Sequence, residues 1–521
     1  MRLLNRRIAT IAGLTVLGAI GLMMAFYPTV LSGFAQVQQD PHDTRHLNFV
    51  LENGWLWLTG HAELFSPNMF YPLKGVAAYT EVLLGVLPFY VPYRLVGLAP
   101  DTSFQCWVLT VATLNYLTAL FVFRRGFHFG WAGTAAGAFL FSFGSPRLTQ
   151  VGHQHLIPQF YTLLALYGLA RLFRAERWGV AIFCAGVVLQ AYAGIYFAWF
   201  LGFSLGVALI AALAMKSSRA TVLDIIKVNR VALAAGAALS LVAVIPLALP
   251  YLHAAREVGY RSFGDAAPML PRIQSWFYQG DRSWLYRPLA YTALYGKLPM
   301  WWEHSIGVGF VTLGLCVWSF WRERSRPLFR VAAVTLLSIA VLTMYFRGGW
   351  SPWWLVFKTV PGAAALRAVS RIGILMLVPW SLALAQWFDR TRPGIRGAAV
   401  AAAVAMFCIV EQGQVEPSYD KQQLRDEVGA LVTKLPASCD SFFYSPQSTQ
   451  PYERIQVDAM WAGLLSGKKT ANGYSSNFPP GFDTLIHAEW TTDAHRDEVE
   501  AGLHEWERSH GLAPGSICVV R

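Results

Sequence analysis

Eleven apolar stretches of bilayer-crossing length recur along the chain, and they constrain its fold more than any other feature. They lie near 8–30, 104–123, 130–145, 157–172, 178–193, 195–215, 231–251, 304–321, 330–346, 370–388 and 396–411. An apolar run of about 17 to 25 residues spans the hydrocarbon core as a helix. In lipid, backbone N–H and C=O groups must be satisfied within the segment, so such spans fold as α-helices. With 55% hydrophobic and only 14% charged residues among 521, the composition does not describe a soluble globule. The expected fold class is an all-α polytopic membrane bundle of about eleven helices.

The formal net charge of +12 arises from short basic clusters between the apolar runs. That distribution encodes topology, and it excludes a nucleic-acid partner. Arg2/Arg6/Arg7, Arg124/Arg125, Arg171/Arg174/Arg177, Lys216/Arg219/Lys227/Arg230, Arg322/Arg324/Arg326 and Arg390/Arg392/Arg396 lie on alternate connections. Those faces are expected to be cytoplasmic, with the N-terminus among them and the first span retained as a helix. The alternation requires that the apolar stretch 80–98 does not cross. Pro88, Pro92 and Arg94 there predict an interfacial helix instead. The first loop (31–103), the 252–302 and 347–369 loops and the tail then face outward, into the periplasm of a bacterial inner-membrane protein.

The tail changes composition sharply. Residues 1–411 read as the transmembrane domain, and 412–521 as a small extracytoplasmic α/β domain. Ser441–Tyr444 and Ser516–Val520 predict strands. Residues 493–510, with Val499, Leu503 and Trp506 on one face, predict an amphipathic helix. Four cysteines fall in apolar spans, whereas Cys439 and Cys518 each flank a predicted strand of the tail. A Cys439–Cys518 disulfide is expected if the tail meets an oxidising compartment, the alternative being two buried thiols.

Charged side chains at a membrane boundary are costly unless solvated or paired, so clusters there are candidate sites. The outward loops supply Asp40, His42, Asp43, Arg45 and Glu52, then His153 and His155, Glu303, and Arg367 and Arg371. A carboxylate here can deprotonate an acceptor hydroxyl, while Arg and His neutralise the phosphate of a departing lipid carrier. The competing reading for each charge is an interfacial salt bridge, such as Asp43–Arg45 or Glu52–Arg45. Arg367 and Arg371, at i and i+4, would share a helical face and hold a donor phosphate or anionic headgroups. His153 and His155 have a spacing that could ligate a metal on a strand, but two imidazoles do not complete a site.

Asp40-Pro41-His42-Asp43-Thr44-Arg45, Leu51-Glu52, Phe70-Tyr71-Pro72 and Tyr79-Thr80-Glu81 together resemble a pattern, D-P-x-D-x-R…LE…FYP…YS-D/E, carried by bacterial members of the GT-C superfamily of integral-membrane glycosyltransferases. Gly152-His153-Gln154-His155-Leu156 and Asn472-Gly473-Tyr474-Ser475 are similar to members of the same group, although Asn-Gly most simply marks a turn. The resemblance implies transfer of a sugar from a polyprenyl-phosphate donor to an envelope glycan, lipid or protein. It implies Asp40 as general base, with Asp43 as competitor. His42, Arg45, Glu52, Glu81, His153, His155, Glu303, Arg367 and Arg371 are the expected substrate contacts. No cofactor is expected and no metal ligands are assigned, a divalent ion being the one addition the imidazoles would allow. Partners are then the lipid-linked donor, the envelope acceptor and membrane lipids.

Two other classes fit a polytopic chain. A transporter or flippase of a lipid-linked sugar or small solute would place charges near mid-membrane on broken helices in repeated halves. The span interiors here are nearly free of Asp, Glu, Lys and Arg, and no halves repeat. A non-catalytic envelope scaffold would leave Asp40 and Asp43 without a role.

Overall fold

The computed structural model describes residues 2–259, 261–391 and 395–521. Arg392 lies outside the described residues, as do the side chains of Arg2, Arg6 and Arg396. Each expected span contains a helix. Six are long and apolar enough to cross a membrane: Arg7–Leu31, Pro100–Gly126, Gln154–Phe173, Ile195–Ala214, Arg230–Val258 and Val369–Arg390. Gly179–Ala193, Phe310–Arg322, Pro327–Thr343 and Gly397–Val410 are shorter apolar helices, and Trp131–Phe143 accounts for the remaining span. The chain has a polytopic membrane fold. No spanning helix forms at 80–98, which holds only a 3₁₀ turn, Leu87–Phe89, and a single helical turn, Val91–Leu95. Pro88 and Pro92 sit at the starts of these turns, where a missing N–H is tolerated and a longer helix is not.

The chain divides into two compact units. One comprises Met1–Tyr27, Val108–Val244 and Arg261–Glu416; the other comprises Pro28–Trp107, Ile245–Tyr260 and Pro417–Arg521. In the first unit glycines let helix backbones approach closely, the usual device where lipid gives no hydrophobic drive to association. A Cβ on Gly168 would lie 2.3 Å from the Phe183 nitrogen, and one on Gly186 2.5 Å from the Ala165 nitrogen, so Phe160–Phe173 and Gly179–Ala193 pack backbone to backbone. Phe310–Arg322 is capped from a distance. The buried Glu411 carboxylate accepts from the amides of Val311 and Thr312, at 2.8 and 2.9 Å, and from the Thr312 hydroxyl at 2.8 Å. Those amides would otherwise be orphan donors at the helix start.

The second unit joins the first loop to the tail. Gln36–Gln38 pairs antiparallel with Ser418–Asp420, Val37 opposite Tyr419. A three-stranded parallel sheet has Ser441–Tyr444 at its centre, flanked by Lys469–Thr470 and Cys518–Val520. Cys439 and Cys518 form a disulfide with Cα atoms 6.1 Å apart. Helices Lys421–Lys434, Tyr452–Ser466 and Asp493–Ser509 accompany the sheet. Asp493–Ser509 buries Val499, Leu503 and Trp506, the face its periodicity predicts. The core runs from Phe49, Phe70 and Tyr79 of the loop to Phe442, Trp461 and Trp506 of the tail.

Candidate functional site

In the second unit, the loop after the first span turns directly into the 16-residue helix Asp43–Leu58. Asp40 lies just ahead of it: its Oδ1 accepts from the amides of His42 (2.9 Å), the N-cap residue, and Asp43 (2.8 Å), an Asx-type turn that leads into the helix. At the other end Gly60, at φ 78°, closes the helix with His61 N donating to Leu56 O and Gly60 N to Trp57 O. Asp40, His42 and Asp43 are half-buried, whereas Arg45, His46 and Glu52 are buried.

Asp43 is met by Tyr474, whose phenol donates to Asp43 Oδ1 at 2.7 Å. The segment that carries Tyr474 is built by the two motifs that resemble the family. Asn472 accepts from the Tyr444 amide (2.7 Å) and donates to the Tyr444 carbonyl (3.0 Å), continuing the sheet with a side chain. Phe70 N donates to Asn472 O and Tyr71 N to Thr470 O, both at 2.9 Å. A Cβ on Gly473 would fall 2.4 Å from the Phe70 ring, so only glycine admits this approach. The Asn-Gly pair therefore does more than turn the chain: it seats Phe70 and aims Tyr474 at Asp43. Burial, followed by the neighbouring Asp43 carboxylate, pushes the Tyr474 phenol well above its ordinary pKa, so it stays a donor. The His46 ring stands edge-on to Tyr474, centroids 5.4 Å apart. Burial drives this imidazole down to about 4, against the pull of Asp43, so it is neutral at physiological pH.

The other loop charges go to partners that the sequence does not place beside them. Arg45 pairs with Asp458 of Tyr452–Ser466, and Arg454 holds the second oxygen of that carboxylate at 2.9 Å while also reaching Glu427. Glu52 takes both Nε and an amino group of Arg94, at 2.8 and 2.9 Å, together with the Tyr90 hydroxyl at 2.6 Å. Arg45 is thus paired with Asp458, and Glu52 with Arg94. Glu81 is half-buried; its neighbours Thr80 and Val82 bond the Tyr251 hydroxyl, and Tyr79 donates to Glu257 at 3.0 Å.

The first unit holds a separate polar cluster. Glu303, 2% exposed, receives Nε and an amino group of Arg371 at 3.1 and 2.7 Å. The same amino group donates to His153 Nε2 at 3.0 Å, which makes His153 the acceptor there. His155 lies against His153 with ring centroids 6.0 Å apart. Burial alone would raise Glu303, but the Arg371 guanidinium, with His153 and Arg367 behind it, holds its carboxyl below the ordinary value. Arg367 is exposed. It does not share a helix face with Arg371, because 3₁₀ turns at Ala363–Ala365 and Val369–Arg371 replace a continuous helix. Arg147 is buried and fully engaged, donating to the carbonyls of Phe141 and Ile157 and to Gln159 Oε1, so it anchors the His153 loop. Among the described residues no group of three or more His, Cys, Asp or Glu side chains could hold a metal ion.

No protein-family model and no curated protein matches the sequence. Solved structures do. The arabinofuranosyltransferase AftD from Mycobacteria is similar over 91% of this chain and 33% of its own, at 15% identity and TM-score 0.53. The oligosaccharyltransferase AglB from Archaeoglobus fulgidus, in complex with an inhibitory peptide and a dolichol-phosphate, is similar over 90% of this chain and 65% of its own, at 11% identity and TM-score 0.50. The fold is that of the GT-C glycosyltransferases. The chain spans 33% of the length of the mycobacterial enzyme and 65% of the archaeal one. Asp458 carries no sequence signal as a site residue, and Tyr474 carries one only as part of the Asn472–Ser475 motif. A helical count from Asp43 would have found His46 at i+3, but nothing in the chain pairs Asp43 with a residue 431 positions away.

Proposed function

We propose that the chain is a membrane glycosyltransferase that moves a sugar from a polyprenyl-phosphate donor to an extracytoplasmic envelope acceptor, with Asp40 as general base. The observation that carries this reading is a GT-C fold whose first loop presents two oriented carboxylates at the start of one helix. Both amide bonds to Asp40 fall on Oδ1, which fixes the direction of Oδ2. In the reaction Asp40 takes the proton of an acceptor hydroxyl and that oxygen bonds the anomeric carbon. The bond from that carbon to the carrier phosphate breaks, its electron pair leaving with the phosphate. Asp43, held by Tyr474, orients the acceptor and is the rival base. Arg45 and Glu52, tied to Asp458 and Arg94, fix the helix rather than touch a ligand. In the first unit, exposed Arg367 and the Arg371–His153 pair supply cationic and hydrogen-bonding groups suited to a phosphate. An inner-membrane location with the tail in the periplasm belongs to the same proposal.

The test is mass spectrometry of envelope glycans and polyprenyl-linked sugars from cells lacking the gene, complemented with the native chain, Asp40→Asn or Asp43→Asn. Loss of one glycan, restored by the native chain and not by membrane-resident Asp40→Asn, is the expected result. Full restoration by both variants removes the carboxylates from the chemistry and leaves a transporter or scaffold.

A further inference from the structure

His46 is 4% exposed, and neither ring nitrogen has a hydrogen-bond partner. A buried imidazole with both nitrogens unmet is costly, because each lost its water on folding and gained nothing. The ring is not isolated in the core. It stands edge-on to Tyr474, whose hydroxyl is on Asp43, one helical turn before His46. Two further polar atoms of the same neighbourhood are buried and unmet: His42 Nδ1, one turn before His46, and the hydroxyl of Ser475, next in chain to Tyr474. Polar atoms without partners thus lie on the ring that meets Tyr474 and on the residues next in chain to Asp43 and Tyr474.

Charge decides what these atoms could receive. Asp40 and Asp43 are carboxylates, and the guanidinium nearest in sequence, Arg45, is committed to Asp458. A phosphate would meet repulsion here. The grouping of ligating side chains needed for a metal ion is not found among the described residues. A neutral polyol suits both constraints, because one hydroxyl can accept from one imidazole nitrogen and donate to another acceptor. We propose that His46 is a specificity-determining residue that touches a sugar hydroxyl of the acceptor, as a neutral imidazole donating or accepting one hydrogen bond beside Asp43. This deepens the glycosyl-transfer reading and rests on it. Loss of a buried partner is how polar sites reject the wrong hydroxyl pattern, so His46 reads the acceptor's stereochemistry.

The experiment uses the full chain in lipid nanodiscs free of glycoside detergents. Saturation-transfer NMR and thermal shift are recorded with methyl α-D-mannopyranoside, methyl β-D-glucopyranoside and methyl α-D-arabinofuranoside, for the native chain, His46→Phe and His46→Gln. Expected is binding of at least one glycoside by the native chain, weakened about tenfold or more in His46→Phe and less in His46→Gln, which keeps a donor and an acceptor. His46→Phe is expected to melt no lower than the native chain without glycoside, so a folding failure is recognised independently. Equal glycoside affinity in His46→Phe and the native chain makes His46 a core residue and overturns the inference alone. A stabilisation by Mn²⁺ or Zn²⁺ that His46→Phe abolishes, with no glycoside effect, makes it a metal ligand and overturns it. Binding of no glycoside by the native chain also overturns it, and the Asp40→Asn glycan profile then decides separately whether glycosyl transfer stands.

Discussion

Tyr474 donates its phenolic hydrogen to Asp43 Oδ1 at 2.7 Å, joining the first loop to the tail across 431 residues of sequence. The tail is therefore part of what orients the loop carboxylates. Tyr474→Phe removes the donor and leaves the ring packing. A hydrogen bond to a charged group is worth about 1.5–3 kcal/mol, so a tenfold or greater fall in transfer is expected with the protein still accumulating in the membrane. Quantifying the restored glycan against membrane protein level checks it; unchanged transfer would make the contact structural.

Asp40 combines two roles that substitution can separate. Asparagine keeps a side-chain oxygen for the His42 and Asp43 amides, whereas alanine removes both bonds, at a cost of about 1 kcal/mol. Asp40→Asn is expected to melt with the native chain and to lose transfer, while Asp40→Ala loses both transfer and a few degrees of thermal stability. Differential scanning fluorimetry beside the glycan assay distinguishes them. A stable and active Asp40→Asn would leave Asp40 a former of the turn before the helix and pass the role of base to Asp43.

Burial and charge act together at Glu303. Arg371 is fixed by it and in turn donates to His153. Breaking a buried pair by removing one partner typically costs about 3–5 kcal/mol, because the other charge is left uncompensated. Glu303→Ala is expected to melt well below the native chain, and Glu303→Ala/Arg371→Met to recover much of that loss. Comparing the unfolding midpoints checks it, and additive losses would show the pair to be uncoupled.

Much of this architecture is legible in the chain, for a physical reason. Apolar runs long enough to cross lipid have few alternatives to a helix, so each of the eleven stretches contains one. The tail's strand at Ser441–Tyr444 and the buried face of Asp493–Ser509 follow from local periodicity. Pairing is not local. Arg45 finds Asp458 and Glu52 finds Arg94, where proximity in sequence suggested Arg45 as the partner of Asp43 or Glu52. Asn472-Gly473 reads as a turn because its work requires distant partners: Phe70, some 400 positions away, which Gly473 seats, and Tyr444, 28 positions away, whose strand hydrogen bonds Asn472 completes. Arg367 and Arg371 fit a helical spacing that 3₁₀ turns then override.

His46 makes stability depend on pH. Burial holds its imidazole down at about 4 in the fold, against the ordinary value of 6.5. Between those values the unfolded chain binds a proton that the folded chain does not, so stability rises with pH. The contribution is complete above about 6.5 and is lost as pH falls towards 4, on the order of 3 kcal/mol at about 1.4 kcal/mol per pH unit. His46→Phe is expected to flatten the fall in unfolding midpoint between pH 7 and pH 4.5. Parallel curves for the two proteins would contradict a neutral buried imidazole.

The Cys439–Cys518 bridge ties the sheet's centre to its edge and closes a loop with a sequence separation of 79. In the chain-entropy account, a loop of that length restricts the unfolded state by about 4–5 kcal/mol. The restriction applies to the second unit, where Trp506 and Glu507 lie inside the closed loop and hold, respectively, the Tyr71 carbonyl and the Ile517 amide. Cys439→Ser/Cys518→Ser is therefore expected to lower the unfolding midpoint and to expose the tail to protease, with the membrane helices still protected. Because Tyr474 sits within the same loop, the reduced protein is also expected to lose transfer before the membrane helices unfold. Limited proteolysis with and without dithiothreitol, followed by mass spectrometry of the fragments, checks this. An identical cleavage pattern in both conditions would mean that the bridge contributes little beyond what the sheet and its helices already supply.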